Sequence, residues 1–352
     1  MARRSVGADQ GRTGSVPLPI LYEKAVDRRV LDGRRVAILG FGAQGKAHAL
    51  NVRDSGVDVV VGLRRGSASV AAAEALDLPV QDVDAAVRDA DLVMLLVPDQ
   101  VQPALYDTAI KPNLRPNGTL LFAHGYNVRF DRIRARADID VVLVAPMGIG
   151  EQVRATYIDG GGVPGLIAVA QDASGEARAR ALAYASANGH ARAGMIETSF
   201  AEETETDLFA EQVVLCGGIT HLVNAAFETL VEAGYNPDIA YFCCLHELKL
   251  IADMMHIKGI AGMRRSASDI AEFGDYTRGP RIVDHRTRNE MKAILKEIQS
   301  GEFAEEMDFE FKNNRPVLRS RRGDAVTQQI EAIGLRLRTL MGWVDTDNPY
   351  PR

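Results

Sequence analysis

Cysteine is scarce in this chain: Cys216, Cys243 and Cys244 are the only three in 352 residues. Adjacent residues such as Cys243 and Cys244 rarely form a disulfide, and no Cys-x-x-Cys spacing offers a zinc site. A reducing compartment, the cytoplasm, is therefore expected. An excess of positive charge is lacking too. Lys and Arg number 41 against 47 Asp and Glu, a formal net charge of −6. Nucleic acid and anionic membrane are not expected as partners. The short basic run from Arg319 to Arg322 reads as a solvated face. No apolar run approaches the ~18 to 20 residues that span a bilayer. Arg3 and Arg4 have no apolar core behind them, so no secretory signal is expected either.

What remains is the composition of an ordinary enzyme, 46% hydrophobic and 25% charged, long enough for two domains. Residues 1–17, rich in Gly, Ser and Arg, read as a disordered tail, and 346–352 as a second. Strand-like runs follow at Arg35–Leu39, Val57–Val61, Asp91–Val97, Thr119–Phe122 and Val141–Pro146, with Gly165–Ala170 extending the series. Helical stretches such as Lys46–Val52 and the alanine-rich Gly175–Asn188 lie between and after them. Strands alternating with helices imply a doubly wound parallel sheet of Rossmann type, residues 18–197. Beyond Ile196–Thr206 the strand-like runs stop. Phe209–Gly234, Ile239–Met255 and Thr287–Ser300 have helical spacing, which predicts an all-helical domain over 198–345.

The first strand ends in Gly40-Phe41-Gly42-Ala43-Gln44-Gly45 and a helix follows. That is the context a dinucleotide fingerprint requires: a tight turn, close approach of backbone to pyrophosphate, and a helix N-terminus that favours anions. The second strand ends in Gly62-Leu63-Arg64-Arg65-Gly66-Ser67-Ala68-Ser69. An acid there would suit the ribose hydroxyl of NAD, whereas Arg64, Ser67 and Ser69 suit a 2′-phosphate. NADP(H) is the expected cofactor. The competing reading of the serines is a polar loop capping the next helix.

Asp207 and Glu211 are four apart, which predicts one shared helix face able to hold Mg²⁺ through oxygen. Taken alone, an acidic pair of this spacing is more often a solvated face. His124, in Phe122-Ala123-His124-Gly125-Tyr126-Asn127, follows a strand, where α/β sheets bind ligands. Cys243 and Glu247 are four apart on another predicted helix.

Together these segments resemble ketol-acid reductoisomerase, over residues 20–345. The resemblance implies a knotted helical domain, a homodimer or a multiple of one, and active sites shared between chains. It implies that Phe41–Gln44, Arg64, Ser67, Ser69, Asp99, Gln100, Val101, Gln102 and Gly150 touch the cofactor. It implies that His124, Asp207, Glu211 and Glu247 form the catalytic and metal site, and that Ser268 contacts the substrate carboxylate.

Beside smaller departures at Ile149, Glu151 and Ala210, two positions where the family has charged site residues differ. Ala145-Pro146-Met147-Gly148-Ile149-Gly150-Glu151 has Met147 where the family has lysine, and Cys243 stands where it has glutamate. Met147 has no proton to give, and Cys243 is no ligand for a hard ion, so one metal site is expected and the second is expected to be weak. The expected function is an Mg²⁺-dependent NADP(H) oxidoreductase acting on a small hydroxy or keto acid. Its substrate is expected to be non-standard, with hydride transfer coupled to rearrangement or cyclisation of an enolate in specialised metabolism. The alternatives are the ordinary reductoisomerase of valine and isoleucine synthesis and a non-catalytic NADPH-binding paralogue.

Overall fold

The computed structural model describes residues 17–341; the expected tails lie outside it, apart from Pro17. Contacts divide the chain into two units. The first holds a nine-stranded sheet: β1 (Ile20–Leu21), β2 (Arg35–Leu39), β3 (Asp58–Leu63), β4 (Val80–Asp82), β5 (Leu92–Leu95), β6 (Thr119–Phe122), β7 (Asp140–Pro146), β8 (Gly165–Gln171) and β9 (Met195–Glu197). The strand order is β1-β9-β8-β7-β6-β5-β2-β3-β4. From β4 to β7 every pairing is parallel, and β5 and β6 are buried along their whole length. Burial on both faces is why these strands read as unbroken apolar runs. The expected parallel sheet is extended differently at one edge. β8 runs antiparallel to β7, because the chain after Pro146 returns at the same end, with Pro146 opposite Gly165.

The helix Ala43–Asp54 leads from β2, and its Asn51 carboxamide donates to Val153 O in the helix Gly150–Ile158. The alanine-rich helix Ala177–Ala187 is buried along nearly its whole length, since small side chains let it sit close against its neighbours. Two fully buried histidines lie here. His48 Nδ1 meets the Tyr184 hydroxyl at 2.9 Å, and His190 Nδ1 donates to Val163 O at 2.7 Å. Burial holds His48 well below the usual imidazole range, with the His190 ring adding to the shift, and burial lowers His190 to about 4. The folded values lie below the unfolded one, so the contribution of these rings is complete above about 6.5 and is lost as pH falls towards 4. For His190 alone this is on the order of 3 kcal/mol. Urea midpoints taken between pH 7 and 4.5 should fall less steeply in His190→Gln than in the unaltered chain, and equal slopes would contradict this.

The second unit is Pro98–Thr108, His124–Arg134 and the chain from Phe200 onward. After β9 every element among the described residues is helical, as expected. One small core gathers Val223, Phe227, Tyr241, Ile330 and Leu337; another gathers Tyr126, Phe130, Leu208, Ile298 and Ala304. The expected helix Phe209–Gly234 is broken. Phe200–Ala210 passes into a wide π-helical turn, Glu211–Leu215, before Gly217–Glu232 resumes. Cys216 N–H donates to Glu211 O, five residues back, at 2.9 Å. A Cβ on Gly217 or Gly218 would lie 2.0 Å or 1.9 Å from the carbonyl oxygens of Gln212 and Val213, so the wide turn requires glycine at both. A second π-helical turn, Phe242–His246, separates Pro237–Tyr241 from Glu247–Ser266. Both wide turns hold candidate site residues, Glu211 and Cys243, as π segments often do.

Phe200–Glu232 is also, by length and composition, long and apolar enough to cross a membrane, contrary to the expectation from simple runs. The apolar residues are spread between glycines and threonines, which hides the stretch by eye. Glu202, Glu203, Glu205, Asp207 and Glu211 crowd its first turns.

Candidate active site

In the sheet unit, the loop after β2 fits a dinucleotide pyrophosphate. Gly40 has φ +103°, and a Cβ there would lie 2.7 Å from Leu96 O. A Cβ on Gly45 would lie 2.3 Å from Gly40 O, so the third glycine lets helix and strand close. Gly42 caps the helix without a side-chain bond, and the space where its Cβ would stand is open. This leaves backbone N–H groups and room for phosphate at a helix N-terminus. Phe41 packs against the core below the loop.

The Ala145–Gly150 segment is fastened to this loop. Gln44 Nε2 donates to Gly148 O at 2.9 Å, and a Cβ on Gly150 would lie 2.3 Å from the Ala43 carbonyl carbon. Gln44 Oε1 is buried without a protein partner. Met147 is tied by its own N–H to Pro164 O, while its side chain is 56% exposed and that of Ile149 48%. The loop thus presents apolar groups next to the glycine loop. At the end of β3, Arg65 is paired with Asp82 at 2.7 Å and Arg64 is exposed. Ser67 Oγ accepts from Ser69 N–H at 3.3 Å, so the capping reading holds for Ser67, and Ser69 opens the next helix.

In the helical unit, His124 Nδ1 lies 3.1 Å from Glu203 Oε1 and 3.5 Å from Asp207 Oδ2. Gly125 N–H donates to Glu203 Oε2 at 2.8 Å. A Cβ on Gly125 would lie 2.4 Å from Thr204 Oγ1, which accounts for the glycine. Burial pulls the His124 imidazole down, but Glu203, with Asp99 and Asp207, outweighs it and lifts the ring to about 9. At neutral pH the ring is doubly protonated, with Nδ1 held by Glu203 and Nε2 carrying the second proton. Burial raises Asp207 and Asp99, and Glu203 adds repulsion to both, against the pull of His124. Burial and the Asp207 charge raise Glu211. Carboxylates outnumber the single imidazolium, and Asp207 and Glu211 bring hard oxygen donors. That donor set fits a divalent cation such as Mg²⁺.

Among the described residues, His124, Glu203 and Asp207 form a group whose ligand atoms lie within 4.8 Å of one another. Glu203 is absent from the sequence reading. Its signal is the series Glu203, Asp207, Glu211, a carboxylate at every fourth residue. Glu211, Glu247 and Cys243 stand outside that group. Cys243 is exposed in its π turn, where its face relation to Glu247 is that of a wide turn and not an α-helix. Ser268 Oγ accepts from Ala271 N–H at 3.3 Å and caps the helix Asp269–Ile282. Asp99, Gln100, Val101 and Gln102 belong to the helical unit.

Residues 30–194 match the family model described as the NADPH-binding domain of acetohydroxy acid isomeroreductase. Residues 200–343 match that of the ketol-acid reductoisomerase C-terminal domain. The structure of an NADH-preferring ketol-acid reductoisomerase from an uncultured archaeon is similar over 92% of this chain and 100% of its own, with 42% identity and a TM-score of 0.90. A semialdehyde dehydrogenase NAD-binding protein from Cupriavidus necator, in complex with calcium and NAD, matches 76% of this chain and 99% of its own at 18% identity and a TM-score of 0.58. The latter likeness is one of fold alone.

Proposed function

The chain belongs to the ketol-acid reductoisomerase family and is an NAD(P)H-dependent oxidoreductase, and from that premise we propose that its substrate is not the family's standard one. Its reaction moves a hydride to or from a small hydroxy or keto acid, coupled to rearrangement or cyclisation, in specialised metabolism of the cytoplasm. The observation that carries this reading is Met147, an uncharged side chain in a loop fastened to the glycine loop. When bound, the nicotinamide supplies or takes the hydride and a divalent ion polarises the substrate oxygens. The chain does the rest. Asp207 and Glu211 hold the ion, and Glu203 fixes His124 so that Nε2–H serves as a proton donor. Met147 can move no proton, so a step that relies on a charged group there is slowed. The 42% identity to an archaeal reductoisomerase supports the ordinary reaction as the second reading. The reading is tested by following NADPH oxidation over a panel of small keto acids with Mg²⁺. Oxidation by none of them would count against it.

NADPH is the proposed cofactor, although the archaeal relative prefers NADH. Arg65 is engaged by Asp82, which leaves Arg64 as the cation for a 2′-phosphate. Arg64→Asp should weaken NADPH binding by roughly ten- to a hundredfold while NADH changes little. Fluorescence titration with both cofactors decides it, and tighter NADH binding by the unaltered chain would sink it.

A second copy of the chain is the proposed partner. The helices Glu247–Ser266 and Asp269–Ile282 hold no buried residue, while Ile257 is 76%, Ile270 86% and Phe273 63% exposed. Apolar surface of this extent marks an interface. Glu247 and Ser268 would then serve the partner's site, and Cys243 would leave the second metal position weak. Sedimentation should give a dimer or a multiple; an active monomer would contradict this.

A further inference from the structure

We propose that Arg129 is a positioning residue for His124: with Glu205 it locks the turn that follows the histidine onto the helix Phe200–Ala210. The inference rests on the reading that His124 serves as a proton donor, and every group in it belongs to the helical unit. The start of the turn is held by Glu203, whose carboxylate meets His124 Nδ1 and accepts from Gly125 N–H. The end of the turn, Tyr126–Arg129, is fastened separately. Arg129 Nε donates to Glu205 Oε1 at 2.7 Å. Arg129 Nη2 donates to Gln299 O at 2.9 Å, near the end of the helix His285–Ser300. Gln299 Nε2 in turn donates to Glu205 Oε2 at 3.4 Å, so both oxygens of that carboxylate are used. One guanidinium ties the turn to two helices.

The pair is sheltered, with side-chain exposures of 27% for Arg129 and 18% for Glu205, against 83% and 53% for Arg29 and Asp27. An ion pair open to water fixes little, whereas a charge-assisted bond shielded from it holds its geometry. Glu203 and Glu205 are two residues apart, about 200° around a helix, so the turn grips two sides of one helix. With Glu203 alone the turn could pivot about that carboxylate, and the second grip removes the pivot. What is protected is a narrow geometry, His124 Nδ1 at 3.1 Å from Glu203 Oε1 and 3.5 Å from Asp207 Oδ2. A ring displaced by about 1 Å would aim its Nε2 proton away from the reacting atom. The role calls for arginine. Its planar fork serves Glu205 and Gln299 O at once, lysine as a point donor serves one of them well, and methionine serves neither.

The test is steady-state kinetics with Mg²⁺ and NADPH on the small keto acid that the unaltered chain reduces fastest. Arg129→Met should lower kcat about tenfold or more, while KM for the keto acid and the NADPH dissociation constant stay within about threefold. Arg129→Lys should recover most of the loss, which a merely structural gap would not require. Glu205→Ala should lower kcat alike, and the double variant should be no slower than either single one, because the two residues act as one unit. Where Arg129→Met does not fold, Glu205→Ala carries the test, since it removes the same pair and leaves Arg129 its bond to Gln299. His124→Gln tests the underlying reading and should lower kcat about a hundredfold. If His124→Gln loses kcat and the folded Arg129 and Glu205 variants keep it, or if their losses simply add, the inference fails. If His124→Gln keeps its kcat, the underlying reading fails.

Discussion

Asp207→Ala is expected to lower turnover of the true substrate by roughly a thousandfold, about 4 kcal/mol. Asp207 sits where burial, Glu203 and Asp99 all raise the cost of its negative charge, and His124 alone opposes them. A carboxylate under such repulsion suits the cation-holding role proposed for it. Removing it takes away a hard oxygen donor and one of the charges around His124. Glu203 still holds His124 Nδ1, so the imidazole remains in place and the loss reports on the metal position itself. Calorimetry with Mg²⁺ should show the tighter ion gone, while NADPH affinity, which depends on the glycine loop, stays within about twofold. Turnover within tenfold of the unaltered chain would refute the role given to Asp207.

The second large effect runs in the opposite direction. The double variant Met147→Lys, Cys243→Glu should convert acetolactate at least a hundredfold faster than the unaltered chain, about 2.7 kcal/mol of barrier. Lysine restores a charged proton donor, and glutamate restores an oxygen ligand. Both positions tolerate the change sterically. Met147 is 56% exposed and Cys243 is exposed, so neither longer side chain has to enter a packed core. The backbone at Met147 is held through its N–H and through the Gln44 bond to Gly148, and neither depends on the side chain at 147. A double variant as slow as its parent would show that these two residues do not set the substrate.

The sheet was legible because its strands are buried on both faces, and a buried parallel strand such as Arg35–Leu39 is a short unbroken apolar run. The two- and three-residue strands β1, β4 and β9 carry too few residues to show a period, and they went unread. The glycine loop was legible residue by residue, because Gly40 and Gly45 answer to backbone contacts that no side chain can replace. The wide turns at Glu211–Leu215 and Phe242–His246 were not. A four-residue spacing assumes α geometry, and only Gly217-Gly218 hinted at the i−5 bond. Glu203 was missed for a related reason. In a stretch with acids at 202, 203, 205, 207 and 211, spacing alone does not say which carboxylate turns inward to Gly125 and His124. The bonds of Asn127 to Asp99 and Gln102 were not legible either, since those partners lie over 20 residues away in the chain.

A family member with Met147 and Cys243 is proposed to have left the family's standard reaction. It is met by a steady-state assay of the unaltered protein on acetolactate, with saturating NADPH and Mg²⁺. Turnover should lie at least a hundredfold below the ordinary enzyme scale of ~10 per second, while another small keto acid oxidises NADPH at that scale. Acetolactate turned over at ~10 per second would contradict the claim and make the chain a plain reductoisomerase.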